Sequence, residues 1–136
     1  MADAPIPSLS FPELLPLADV LSLHLPLTSE TTGIMDAGAF AAMKRGSILI
    51  NTARGPLVDG AALCSALTSG HLRGAGLDVF CREPVGADDP LLTLPNVIVT
   101  PHLAWLTTET LERSLTVIGE NCRRLRQGEA LLHRVI

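Results

Sequence analysis

Arg54 lies just beyond an apolar run, Ile48-Leu49-Ile50, in the stretch SILINTARGPLVDG, and Gly55-Pro56 fixes a turn directly behind it. His102 follows a second run in LPNVIVTPHLAW, and Glu83 follows a third in GAGLDVFCREP. Arginine offers a planar fork of donors to a carboxylate. Histidine exchanges a proton near neutral pH, and a glutamate beside it orients the imidazole and favours its protonated form. Each residue alone is weak evidence, but the three have a joint chemical logic if the chain brings them together.

The elements that would do so are short apolar strands alternating with helical patterns, the mark of a parallel sheet with crossover helices. Strands are expected over residues 20–23, 47–51, 75–79 and 97–100. The runs are mostly apolar rather than cleanly alternating, which predicts cover by helices on each side of the sheet. Residues at and after the ends of parallel strands share one edge, where open α/β sheets bind ligands. That edge would collect His24, Leu25 and Pro26, then Thr52, Ala53 and Arg54, then Asp78 and Glu83, and last Pro101 and His102. Helices are expected over 36–44 and 59–69, the second capped by Asp59, carrying Leu63, Ala66 and Leu67 on one face and stopping at Gly70. The longest helix, about 107–127, carries Leu111, Leu115, Ile118, Cys122 and Leu125 along one stripe and ends at Gly128. The proline-rich opening, residues 4–12, reads as a loop within an entry segment of residues 1–17.

A chain of 136 residues, 47% apolar, has the size of one ordinary domain with a core. A net charge of −4 gives no footprint for nucleic acid. No apolar stretch approaches the ~20 residues that span a bilayer, so no membrane partner is expected and the reading is a cytoplasmic protein. Cys64, Cys81 and Cys122 are odd in number and widely spaced, which indicates neither a disulfide framework nor a metal site. The only G-x-G, Gly74-Ala75-Gly76, leads into a strand rather than out of one and is not a dinucleotide fingerprint.

Four ordered strings, ADVLSLHLPLTSETTG, MKRGSILINTARGPLVD, GAGLDVFCREP and LPNVIVTPHLAW, resemble consecutive signatures of the D-isomer-specific 2-hydroxyacid dehydrogenases from about residue 18 onward. The resemblance implies a catalytic triad of Arg54, Glu83 and His102. In that family the arginine holds the substrate carboxylate and 2-oxo group, the histidine moves a proton at the substrate oxygen, and the glutamate pairs with the histidine. It also implies cofactor contacts at Leu25 and Pro26, at Thr52, Ala53 and Arg54 near the nicotinamide ribose, at Asp78 near the carboxamide, and at His102. The implied cofactor is NAD or NADP, and no residue here chooses between them.

By the same resemblance the fold class is α/β: the C-terminal half of a Rossmann-like, parallel-sheet NAD(P)-binding domain. Residues 18–106 would be that partial domain without its glycine-rich half, and 107–136 a long helix and tail that in the family return to a substrate domain. The expectation is a C-terminal portion of an oxidoreductase acting on a small 2-hydroxy or 2-oxo acid, with weak cofactor binding and little or no activity by itself. Trp105 after His-Leu-Ala resembles the glycerate dehydrogenase and hydroxypyruvate reductase branch, whereas the glutamine that formate dehydrogenases carry at the position of Glu83 is absent. Two other readings stand beside the enzyme. One is a non-catalytic, NAD-linked interaction module, since the C-terminal-binding-protein corepressors keep a similar constellation; the other is an inactive, self-associating remnant. An unpaired strand edge and an uncovered apolar helix stripe predict a homodimer or other self-association.

Overall fold

The apolar runs form strands β1 (Val20–Leu23), β2 (Ile48–Asn51), β3 (Gly74–Leu77) and β4 (Val97–Val99) in the computed structural model, which describes residues 8–134. All neighbours pair in parallel and the spatial order follows the chain, β1-β2-β3-β4. β3 and β4 leave the sheet slightly earlier than expected. The ladder runs on only as far as the Asp78 N–H, which donates to the Asn51 carbonyl, and the Thr100 N–H, which donates to that of Leu77. The chain divides into two compact units, one reaching to His102 and the other starting at Leu103.

In the first unit, helices α1 (Phe11–Leu14), α2 (Ala37–Ala42) and α3 (Gly60–Thr68) accompany the sheet. Asp36 caps α2 by accepting from the Ala39 N–H at 2.8 Å, and Asp59 caps α3 by accepting from the Ala62 N–H at 3.0 Å. Such caps contribute roughly 0.5–2 kcal/mol each. α2 stops short of residue 44 because Met43 turns to an extended conformation and buries its side chain. Leu63, Ala66 and Leu67 of α3 are buried as their spacing predicts. They join Phe40, Leu49, Leu21 and Leu77 in one core. The opening is not a plain loop: at Phe11 it becomes a helical turn, held where the Glu13 carboxylate accepts from the Ser10 N–H at 2.9 Å, and the following Leu15 is buried in the core. The earlier part of that run, residues 4–7, lies outside the described residues.

Cover on both sheet faces is not what forms. Side chains of Leu21, Leu23, Leu49, Ala75 and Leu77 are buried, whereas Ile48 and Ile50 on the opposite face are half-buried and Val20 and Ile98 are 56% and 76% exposed. Among the described residues no helix of this unit covers that second face. The strands are apolar on both sides, but the unit supplies a layer for only one of them.

The second unit is built on α4 (Thr108–Gln127). Thr107 caps it by accepting from the Thr110 N–H at 3.1 Å, and Gly128, at φ 69°, ends it in the left-handed region that glycine tolerates. Leu111, Leu115, Ile118 and Leu125 are exposed, and no residue of the helix is buried. Hydrogen bonds from Arg123 and Arg124 draw the Glu120 carboxyl down to about 2. The Asn121 side chain clamps the tail by donating to the Leu132 carbonyl and accepting its N–H. Among the described residues no helix is long and apolar enough to cross a membrane.

Because Leu49 is fully buried at the centre of the core, Leu49→Ala is expected to lower the unfolding free energy by about 2–5 kcal/mol. Glu30→Ala, at an exposed loop position, should change it by no more than about 0.5 kcal/mol. Urea unfolding of the two variants beside the parent chain measures both.

Candidate active site

Register sets the site. Leu23, Asn51, Leu77 and Val99 stand at one level across the sheet. One residue further along are His24, Thr52, Asp78 and Thr100, and three further are Pro26, Arg54, Phe80 and His102. The sheet thus delivers the sequence-derived candidates to a common edge. Their side chains then fall into two groups.

The first group surrounds the turn that follows β2. Asn51, 1% exposed, reaches past the strand end: its Nδ2 donates to the Arg54 carbonyl at 2.9 Å, and its Oδ1 accepts from the Ala53 N–H at 3.1 Å. A buried amide is costly unless it is bonded, so these contacts hold the turn tightly. The turn is also tied on its far side, where the Gly33 N–H donates to the Pro56 carbonyl at 2.9 Å and the Met35 N–H to that of Leu57 at 3.0 Å. Arg54 itself is exposed, with a guanidinium nitrogen donating to the Ala53 carbonyl at 2.6 Å. A cleft of about 600 Å³ is lined by His24, Leu25, Pro26, Leu27, Ala53 and Arg54. Thr52 is exposed next to it in sequence but does not line it.

The second group centres on Glu83. Its Oε2 lies 2.8 Å from His102 Nδ1, and its Oε1 accepts the Phe80 N–H at 2.9 Å. Those two bonds, the histidine's first and then the backbone's, hold the Glu83 carboxyl below the usual carboxylate range. A carboxylate on Nδ1 fixes ring orientation and directs any proton exchange with a ligand to Nε2. His102 has φ 57°, a left-handed conformation uncommon outside glycine and a recurrent feature of functional sites. Asp78 is buried at the end of β3, and the Thr100 hydroxyl donates to its Oδ1. Asp78, Glu83 and His102 line a cavity of about 570 Å³ whose walls include the apolar Val85, Leu92 and Val99.

Arg54 therefore stands on a different cleft from the other two members of the proposed triad. No hydrogen bond joins it to Glu83 or His102 among the described residues. Elsewhere, His24 is exposed and bonds the Ser22 hydroxyl at 2.9 Å, while His71 is partly buried with Nε2 3.0 Å from the Met43 carbonyl. Sequence reasoning did not single out Asn51 or Thr100. The available signal was a polar residue placed where an apolar run meets a candidate side chain.

The lowered Glu83 carboxyl has a defined pH consequence. A carboxylate depressed in the folded state contributes stability above its unfolded value, ~4.3, and loses it as pH falls through the lower folded value. Glu83→Gln should therefore be less stable than the parent near neutral pH, with the gap closing in acid below that range. Unfolding free energies measured along a pH series test this, and a gap that widens in acid would contradict it.

Comparisons with known proteins bear on the chain's family and fold. The family model of the D-isomer specific 2-hydroxyacid dehydrogenase NAD binding domain matches residues 1–104. A D-3-phosphoglycerate dehydrogenase of Mycobacterium bovis is 50% identical over 121 residues, which are 89% of this chain and 23% of that protein. A glyoxylate/hydroxypyruvate reductase B of Citrobacter koseri is 53% identical over 116 residues, 85% of this chain and 36% of that protein. The crystal structure of a D-isomer specific 2-hydroxyacid dehydrogenase from Xanthobacter autotrophicus Py2, in complex with NADPH and MES, superposes with a TM-score of 0.81 at 44% identity over 93% of this chain and 51% of that one. The chain thus spans roughly a quarter to a half of each of these relatives. The family model, matching most of the chain, and the parallel sheet shared with these solved structures place it in the D-isomer specific 2-hydroxyacid dehydrogenase family.

Proposed function

We propose that this chain supplies the catalytic edge of a nicotinamide-dependent oxidoreductase that interconverts a small 2-hydroxy acid and its 2-oxo acid, with glycerate and hydroxypyruvate the favoured pair. The observation that carries the reading is the Glu83 carboxylate held between the Phe80 N–H and His102 Nδ1. That arrangement orients an imidazole for proton exchange at a ligand oxygen. In the reduction direction His102 would give a proton through Nε2 to the 2-oxo oxygen, and Glu83 would stabilise the imidazolium before transfer. Arg54, after turning from the Ala53 carbonyl, would hold the substrate carboxylate with its fork.

The residues fit a dinucleotide. Leu25, Pro26 and Ala53 give the cleft beside Arg54 apolar wall, and the cavity at Glu83 and His102 is lined by the buried carboxylate of Asp78, an acceptor type that suits an amide. When bound, the nicotinamide supplies or accepts the hydride. Leu25, Pro26, Thr52, Ala53 and Arg54 would flank the dinucleotide, and Asp78 and His102 would face its reactive end. Residues 18–106 would act as part of a dinucleotide-binding domain, and 107–136 as a helix and tail serving a separate contact. Reduced Cys64, Cys81 and Cys122 suit a cytoplasmic setting.

Self-association is the second part of the reading. Val20 and Ile98 are exposed on the uncovered sheet face, and Leu115, Ile118 and Leu125 on α4. Covering such surface is favourable at ~25 cal/mol per Å² of apolar area before association costs. Sedimentation equilibrium should show dimers or larger species, and a monomer at all concentrations would overturn this part.

Proximity and exclusion of water between two domains can supply roughly 7–11 kcal/mol of catalysis. The 136-residue chain is therefore expected to turn over hydroxypyruvate with NADH or NADPH slowly or not at all. A hybrid in which it replaces the matching segment of the Citrobacter koseri reductase should be active. In that hybrid His102→Gln should lower turnover by roughly 10²–10⁴-fold, and Arg54→Lys, which loses the fork, should chiefly raise the substrate KM. Parent-like turnover of the His102 variant would overturn the role given to it.

A further inference from the structure

Gly55 sits directly between the two groups of side chains. It is buried and is not among the glycines with positive φ, so its backbone conformation alone would accept a side chain. The obstacle is steric. A methyl group on its Cα would lie 2.0 Å from the carbonyl carbon of Phe80, 2.1 Å from that carbonyl's oxygen and 2.5 Å from the nitrogen of Cys81. These are main-chain atoms, which cannot swing aside as a side-chain end can. The turn after β2 and the loop after β3 are thus in backbone contact at this point.

The two partners in the contact differ in freedom. On the Gly55 side, the Arg54 carbonyl accepts from Asn51 Nδ2 and from the Leu57 N–H, and the Pro56 and Leu57 carbonyls accept from Gly33 and Met35. On the other side, Phe80 and Cys81 belong to an irregular loop in which the Phe80 ring packs against the core, its N–H donates to Glu83 at 2.9 Å and the Cys81 thiol donates to the Val58 carbonyl at 3.6 Å, so that its main chain is less tied than that of the turn. Extra volume at residue 55 would therefore move the Phe80–Cys81 peptide rather than the turn. The N–H that orients Glu83 would move with it.

We propose that Gly55 is a positioning residue for the Glu83–His102 pair: its bare Cα lets the Phe80–Cys81 peptide close onto the arginine's turn, and that closure fixes the N–H that holds Glu83 against His102. The inference rests on the reading of Glu83 and His102 as an acid–base pair, but the contact can be tested without turnover. It gives a site residue a role that no titrating or hydrogen-bonding group of its own supplies. It also explains how an arginine and a histidine that share no hydrogen bond are kept at a set spacing.

The test follows the Glu83 carboxyl by carbon NMR in the ¹³C-glutamate-labelled 136-residue chain, assigned by the signal that Glu83→Gln removes. In Gly55→Ala the titration midpoint of Glu83 should rise towards that of an ordinary glutamate, and the Phe80 amide resonance should shift. Gly60→Ala is the control, since nothing lies within 4 Å of a Cβ there and its φ is not positive; it should leave both signals in place. If Gly55→Ala does not fold, Asn51→Ser, which releases the turn from its anchor, takes its place with the same expected rise. An unchanged Glu83 midpoint in the folded variant overturns the proposal. Failure of the catalytic reading would show instead as normal turnover of the hybrid's His102 variant, with the Glu83 shift intact.

Discussion

The in-register parallel pairing of β2 with β3, Leu49 beside Ala75 and Asn51 beside Leu77, sets the level from which every candidate side chain departs. A slip of one residue would turn the Asn51 amide to the opposite face and remove the anchor of the Arg54 turn, because side chains alternate across a strand. The burial of Leu49 and Leu77 against α2 and α3 opposes such a slip, since the same shift would carry both out of the core. Core packing on one face of the sheet and site geometry at its edge are therefore one constraint. The edge can be irregular, with a left-handed His102 and an exposed Arg54, because the register beneath it is fixed.

Polar groups at the edge are held in graded fashion. Asn51 is fully enclosed and serves the backbone; Asp78 is buried and bonded to the Thr100 hydroxyl; Glu83 is partly open, between a backbone donor and an imidazole. The groups nearest solvent are those to which the proposed function gives a ligand. Arg54, resting on its own neighbour's carbonyl at the cleft surface, has no carboxylate partner among the described residues. An acidic partner on His102, and none on Arg54 among the described residues, suits the anion-binding role proposed for the arginine.

Much of this was legible in the residues. Four apolar runs gave the strands, and Asp59 and Gly128 marked helix ends because each has a local chemical reason to stand there. The shared edge followed from parallel pairing alone. Other features depend on contacts that no local pattern encodes. Val20, Ile48, Ile50 and Ile98 are as apolar as core residues, so the sequence reads as a sheet covered twice, and only the packing reveals an open face. Leu15 is hidden at the end of a proline-rich stretch, although the Ser10–Glu13 spacing could have signalled its helical turn. The hold of the Phe80 N–H on Glu83 arises from loop geometry and could not be inferred from composition or period.

The claim on which these readings converge is that the C-terminal edge of the sheet is where a dinucleotide meets the chain. An NMR titration of the ¹⁵N-labelled chain with NADH tests it residue by residue. Amide shifts should concentrate at Leu25, Thr52, Ala53, Arg54, Asp78 and His102, growing with NADH even if saturation is not reached. Shifts confined to the outer surface of α3 or to α4, or none up to millimolar NADH, would contradict it.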